Sequence, residues 1–266
     1  VRTAALGLAR GGLELRQFFR NTAGFLFTFA LPVFLLLLLG SIFSGMTPSG
    51  ADFTQEQEFT AGMLGAGIIS TTFITLGAGI AQDRENGTLK RLHGTPLPLA
   101  SYFIGKIVMV LALSLAEAVL VLLTGVLVFD VDLPTDPARW FTLTWVFVLG
   151  TVSCALLGIA VSSVAGSARS APTVLNLPYV GLQFVSGVFI SISVLPQWMV
   201  VLGSLFPLKW VAQGFRSVLL PEGAAVVEVA GSWEHGRIAL VLLGWCVAGL
   251  VLCAASFRWT NGRSGG

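Results

Sequence analysis

Apolar residues in this chain run in long unbroken blocks, neither alternating as in a strand nor recurring every third or fourth position as in a half-wet helix. Six blocks, at residues 22–44, 59–81, 99–129, 140–165, 171–194 and 237–257, reach the roughly 20 residues that a helix needs to cross ~30 Å of hydrocarbon. The pattern predicts an all-α, polytopic membrane protein with six transmembrane helices in a single domain, 1–266. Gly and Thr dilute the second block. Pro172 and Pro178 interrupt the fifth, where neighbouring helices can satisfy the backbone groups that proline frees.

The stretches between the blocks have patterns of their own. Over residues 1–21, Ala4, Leu8, Gly11, Leu15, Phe18 and Phe19 share one side of a helix, while Arg2, Arg10, Arg16, Gln17 and Arg20 share the other, with Leu6 and Leu13 as exceptions. That predicts an amphipathic helix in the headgroup plane, its basic face toward anionic lipid. The first apolar block is longer than a signal-peptide core, so this segment is expected to stay in the mature protein. Residues 195–233 hold short apolar pieces punctuated by Pro196, Pro207 and Pro221, which predict re-entrant or interface-lying helices. Trp198, Trp210 and Trp233 suit an aromatic belt at that surface. The Gly-rich tail, 260–266, is expected to be disordered.

Composition agrees: 55% hydrophobic and 11% charged residues lie far from the ~25% charged content of soluble domains. The cations give the orientation. Arg2, Arg10, Arg16, Arg20, Arg84, Lys90, Arg91, Lys106, Arg169, Arg258 and Arg263 fall on one side, against Arg139, Lys209, Arg216 and Arg237 on the other. By the positive-inside rule both termini and the segment around Lys90 are cytoplasmic. Cys154, Cys246 and Cys253 lie inside the blocks, where they read as small packing residues, and no disulfide framework or zinc spacing is present.

Residues 82–97 form the most charge-dense island of the chain, a water-exposed connector between the second and third blocks that a partner can grip. No Gly-x-x-x-x-Gly-Lys-Ser/Thr loop exists to cradle nucleotide phosphates; Gly105-Lys106 lacks the first Gly and the hydroxyl, so any nucleotide energy must come from a separate polypeptide. His93 and His235 fall on opposite sides, and no Ser/His/Asp or metal-ligand set is visible. Inside the fifth block Asn176, Tyr179, Gln183 and Ser186 form one polar stripe, which must face protein or a cavity. Gly65, Thr72, Thr75 and Gly79 share a face in the second. Gly150, Cys154, Gly158 and Ser162 in the fourth read as a close helix-packing face. Glu117 is the sole acid near a block's centre, on one face with Ser114 and Thr124, and must be paired, protonated or near water.

Two stretches carry a family resemblance. Asp83-Arg84-Glu85-Asn86-Gly87-Thr88-Leu89-Lys90-Arg91-Leu92, followed by Thr95-Pro96-Leu97, is the first. Leu177-Pro178, Ser186-Gly187-Val188-Phe189, Leu195-Pro196-Gln197-Trp198 and Phe206-Pro207 make up the second, with Ser191 where the pattern has Pro. With these the chain resembles the ABC-2 type permeases, the membrane subunits of type 2 ABC exporters, most closely the daunorubicin-resistance-like branch. The resemblance implies an N-terminal connecting helix at 1–21, six spans, a cytoplasmic coupling helix at 82–97 and external helices at 195–233. It also implies a dimer of permeases, with a second copy or a homologous chain, on two ABC ATPase subunits that bind ATP and Mg. No cofactor is expected on this chain itself.

Coupling to the ATPase falls, by the same resemblance, to Asp83, Arg84, Glu85, Gly87, Thr88, Leu89, Lys90, Arg91 and Leu92. The residues agree with a helix there: Asp83 and Glu85 in its first turn, Lys90 and Arg91 in its last, and Gly94 as a stop. The resemblance also implies that spans two and five meet the second permease, where exporters of this type hold substrate, which makes Thr72, Thr75, Asn176, Tyr179, Gln183 and Ser186, with Glu117, the expected substrate path. An apolar cavity with few charges suits a lipid, lipid-linked or amphipathic drug-like substrate. The expected protein is a non-catalytic permease subunit of an ATP-driven exporter in a bacterial inner membrane, in contact with lipid and not with nucleic acid. A secondary transporter or channel without an ATPase is the alternative; inverted repeats or several intramembrane charges would favour it, and neither is present.

Overall fold

The computed structural model describes residues 2–45, 53–94, 98–163, 167 and 169–256. The chain forms α1 (Arg2–Arg20), α2 (Thr22–Ile42), α3 (Gln55–Ile69), a π-helical turn (Ser70–Thr75) and α4 (Leu76–Glu85). There follow α5 (Thr88–His93), α6 (Leu99–Phe129), α7 (Pro137–Ser162), α8 (Ala171–Val185), α9 (Gln197–Ser204), α10 (Pro207–Leu219) and α11 (His235–Ser256). The described residues contain no strand. The span ends at 164–165 and 257, residues 95–97 of the island and the tail 260–266 lie outside the described residues.

Among the described residues five helical runs are long and apolar enough to cross a membrane: Gly24–Ile42, Gln55–Glu85, Ala100–Phe129, Pro137–Ser162 and His235–Ala255. The sixth expected span, 171–194, is not one helix. Its helical part, α8, has 15 residues and rises only about 22 Å, short of ~30 Å of hydrocarbon. A Schellman stop ends it: Gly187 takes φ +74° and the Val188 N–H donates to the Gln183 carbonyl at 3.2 Å.

Two spans begin earlier than apolarity predicts, because their caps lie in polar sequence. Thr54 caps α3 in a reciprocal box with Gln57, the Gln57 N–H donating to Thr54 Oγ1 and the Thr54 N–H to Gln57 Oε1. Asp136 accepts from the Ala138 N–H before Pro137 at the first turn of α7. The second span also runs on at its other end to Glu85, four residues into the charged island.

Between α3 and α4 the helix widens into the π turn where hydroxyls compete for its carbonyls. Thr71 donates to Gly67 and Ile68, Thr72 to Ile68 and Thr75 to Ser70. The small-residue face of α7 is buried throughout: a Cβ at Gly150 would meet Val211 of α10, and one at Gly158 the backbone of Thr72 and Phe73.

Helix directions define two ends of the bundle. Arg84 Nη1 donates to the Ser162 carbonyl at 3.1 Å and Ser101 Oγ to the Thr3 carbonyl at 3.0 Å, joining α1, α4, α6 and α7 at the basic end. At the acidic end α10 dips back into the bundle. Every one of its residues is buried, against α3, α7 and α11, while α9 stays at the surface with Trp198 and Val201 exposed.

The N-terminal helix has three faces where the periodicity predicts two. Leu8 and Phe19 face outward, and Arg16 and Arg20 are exposed on another arc. Gly7, Gly11 and Glu14 form a third face laid along the first turns of α6, running parallel to it. A Cβ at Gly7 would strike Ile104, and one at Gly11 would strike Val108. Arg10, on the water side by periodicity, turns inward against that helix. The contact is therefore helix on helix, which a reading of lipid and water faces alone omits.

Candidate functional site

The charged island at the basic end divides into two helices. Asp83 and Glu85 end α4 and do not open the coupling helix; Asn86 and Gly87 make the turn, and only Thr88–His93 forms the short helix α5. Gly87 has φ +69°, a left-handed conformation that suits glycine, and its N–H donates to the Arg84 carbonyl at 3.2 Å. The expected dipole arrangement, acids first and bases last within one helix, is thus corrected: the acids stand at the C-terminal end of the preceding helix. Arg84, also in that last turn, compensates there.

The nine coupling candidates fall into three groups. Glu85, Lys90 and Arg91 are exposed, together with Asn86, whose carbonyl accepts from Arg91 Nη2 at 3.3 Å. Arg84 and Leu89 are buried and fasten the turn to the bundle, and Asp83, Gly87, Thr88 and Leu92 lie between. An exposed charged ridge on a buried anchor is the outcome.

Asp83 belongs to a network that joins three helices. Lys106 Nζ of α6 lies 2.8 Å from Asp83 Oδ2 and 2.7 Å from Glu14 Oε2 of α1. Arg10 Nη2 donates to Glu14 Oε1 at 3.0 Å and stacks 4.8 Å above the Tyr102 ring, whose hydroxyl donates to Asp83 Oδ2 at 2.9 Å. The two acids and two bases compensate one another in a site where Lys106 is nearly inaccessible. Sequence reasoning missed Glu14, Tyr102 and Lys106 as a unit. The signals were Glu14, the single acid of α1, and Lys106, a cation within an apolar block.

Beside this network opens a cleft of about 760 Å³ between α1, α2, α4 and α6. Gln17, Asn21, Thr75, Gln82 and Asn86 line it along with the ion pairs. This cleft is polar; an apolar hollow of about 580 Å³, lined by Phe43, Phe59, Phe189 and Val194, lies at the acidic end.

Of the substrate-path candidates, Thr75 alone lines the polar cleft. Thr72 is buried and donates to the Ile68 carbonyl. The stripe on α8 separates: Tyr179, Gln183 and Ser186 are buried in the chain's own packing, while Asn176 is exposed beside Leu177, which is 81% exposed. The buried face follows Leu175, Tyr179 and Leu182, where α8 packs against the π turn and α4. Glu117 is buried and away from the cleft.

The acidic end holds a second buried polar group. Arg216 of α10 donates through Nε to Glu228 Oε1 at 2.6 Å and through Nη1 to the Gly187 carbonyl at 3.0 Å, with no exposed surface on either charged side chain. Lys209 donates to Gln213 Oε1 at 2.6 Å and sits 3.8 Å over the Trp210 ring. Burial holds its ammonium down to about 8, opposed in part by the Glu228 carboxylate. His235 Nε2 comes within 3.0 Å of Ser217 Oγ, a contact that sequence spacing does not show. Ser217 donates to the Gly214 carbonyl, and no acid is hydrogen-bonded to the imidazole among the described residues, so this is not a triad. Among the described residues no cluster of three or more His, Cys, Asp or Glu is placed to hold a metal.

A family model described as ABC-2 type transporter matches residues 12–220, which take in the second half of α1, α2 to α10 and both stretches that carry the sequence resemblance. No curated protein matches the chain significantly.

Proposed function

Because the chain belongs to the ABC-2 type transporter family, whose members are the membrane subunits of ABC transporters, we propose that it is the permease of an ATP-driven exporter, with nucleotide hydrolysis on separate ATPase subunits. The observation that carries the reading is the ridge of Glu85, Asn86, Lys90 and Arg91, exposed beyond the end of the second span and fastened by Leu89 and Arg84. A short helix held so firmly transmits a push from a docked ATPase into α4 and, through Asp83 and Lys106, into α6 and α1. The basic bias supports a cytoplasmic position for this end and both chain termini, and the family resemblance supports a bacterial inner membrane. ATP and Mg would bind the partner.

Purification of the tagged chain in mild detergent from its own cells tests the partnership. An ABC ATPase recovered in about equal amount supports it; a permease that transports in vesicles with no ATPase present overturns it. Within the complex, Gly87→Pro cannot adopt φ +69° and loses the N–H donor to Arg84. Substrate-stimulated ATP hydrolysis is expected to fall about tenfold, with membrane insertion and yield unchanged. The paired reversal Lys90→Glu with Arg91→Glu is expected to act alike, and wild-type stimulation in both would remove the coupling role.

The outward face of α8 supports a permease dimer. Leu177, Val180 and Phe184 are exposed on a helix too short to span alone, with Asn176 beside them. Cysteines replacing Asn176 and Leu177 are expected to crosslink to a second permease, and those replacing Tyr179 and Gln183 to resist. The opposite pattern would show that the packed face opens onto the partner.

An amphipathic substrate, lipid, lipid-linked or drug-like, suits the basic end. The polar cleft takes a headgroup at Gln17, Asn21 and Gln82, and Phe27 and Phe34 expose apolar surface along the adjoining α2 for a tail.

A further inference from the structure

Glu117 is a buried acid that none of the roles above employs. It lies about 18 Å along α6 from the end at Phe129, at ~1.5 Å per residue, and so within the hydrocarbon layer. The residue is 1% exposed, and neither carboxyl oxygen has a hydrogen-bond partner among the described residues. The carboxyl is pressed against α3 at Gly67, where a Cβ would stand 2.8 Å from Glu117 Cδ and 3.0 Å from Oε1. Only glycine leaves that room.

A second observation marks the same place. One turn back on α6, Ser114 Oγ meets Thr71 Oγ1, and Thr71 belongs to the π turn that starts directly after α3. Glu117 therefore packs where the second span departs from α-helical geometry, a kind of distortion that frequently marks a moving or functional segment. No cation among the described residues acts on the carboxyl, and Tyr179 of α8 is the titratable group within its field. An ionised carboxylate left dry and unpaired is costly, by roughly 2.5–3.5 kcal/mol even on the mildest membrane scales. A neutral acid is far less so.

We propose that Glu117 is a proton-binding site inside the permease, protonated while α3 is closed on α6 and ionised in the state in which the two helices part at the π turn. Closing forms one O–H bond on the carboxylate with a proton taken from water; opening lets water in and returns that proton. No other reactant is needed. Acid then favours the closed form, and each closing takes up a proton.

Infrared spectroscopy of the full chain in lipid nanodiscs tests this without ATPase or substrate, so its outcome is independent of the exporter reading. At about pH 8, where ordinary carboxyls are ionised, the wild type should show the C=O stretch of a protonated acid, and Glu117→Gln should lack it. Equal spectra in that region would show Glu117 ionised and overturn the site. The thermal midpoint of the wild type, taken relative to that of Glu117→Gln, should fall as pH rises from about 6 to about 9, a difference in which groups common to both, Lys209 among them, cancel. A band without that difference would overturn the link to opening. Gly67→Ala, which crowds the carboxyl, provides a check on the native acid: its band should shift or vanish, and an unchanged band would overturn the contact itself.

Discussion

Replacing Lys106 by methionine is expected to destabilise the folded permease by about 3–5 kcal/mol, because it removes the buried ammonium that two carboxylates share and leaves Asp83 facing Glu14, which retains only Arg10. Glu14 and Asp83 come from helices far apart in sequence, and their repulsion would push α1 and the end of α4 away from α6. The methionine itself fits the apolar path of the lysine stem, so packing alone does not account for the loss. Thermal unfolding in detergent, followed by the monodisperse fraction on size exclusion, reads the effect. Adding Glu14→Gln and Asp83→Asn to Lys106→Met is expected to recover part of the stability, since the charge then left without its ion-pair partner is Arg10, which is partly exposed. A single substitution costing no more than ~0.5 kcal/mol, as at an ordinary surface site, would mean that water reaches the network freely.

Arg216→Met at the other end is expected to cost a similar amount, about 3–5 kcal/mol. Its guanidinium binds Glu228 and the Gly187 carbonyl, and Glu58 of α3 lies within its field, so one side chain joins α10, the turn after α8 and the segment before α11. Losing it leaves two buried carboxylates, Glu58 and Glu228, without their cation. The loss should appear both as a lower unfolding midpoint and as faster proteolysis within 220–233. Glu228→Gln added to Arg216→Met should restore part of the midpoint. Protease resistance equal to the wild type in Arg216→Met would show that packing of α10 alone holds this cap.

Much of the architecture is legible from apolarity, because a membrane helix has to be apolar over its whole circumference for about 20 residues. Apolarity says nothing about where polar caps lie, which is why α3 and α7 begin earlier than their apolar blocks. Yet Thr54 with Gln57 and Asp136 with Pro137 are sequence signals for those starts. Asn86-Gly87 is likewise a turn pair that divides the charged island. The fifth block misleads for a different reason. Its apolar run continues past Gly187, but the chain reverses there and the remainder packs at the acidic end, where Val188 lies against Gly62.

Pairings across the bundle are not legible at all. Lys106 with Glu14, and Arg216 with Glu228, depend on which helices dock, and a single sequence carries no record of that. The stripe on α8 shows the same limit on a smaller scale. Periodicity collects Asn176, Tyr179 and Gln183 on one side, and docking against the π turn and α4 decides which of them is covered.

The account rests on one side of the membrane holding α1, α5 and the polar cleft, and on that side being the cytoplasm. Asn86 is exposed at the α4–α5 turn and Thr135 is exposed before α7, so a cysteine at either site is open to solvent. In intact cells whose outer barrier has been opened, a membrane-impermeant maleimide is expected to label Thr135→Cys and to spare Asn86→Cys, which becomes reactive only after the membrane is permeabilised. Labelling of Asn86→Cys from outside would put the exposed ridge where no cytoplasmic ATPase can reach it.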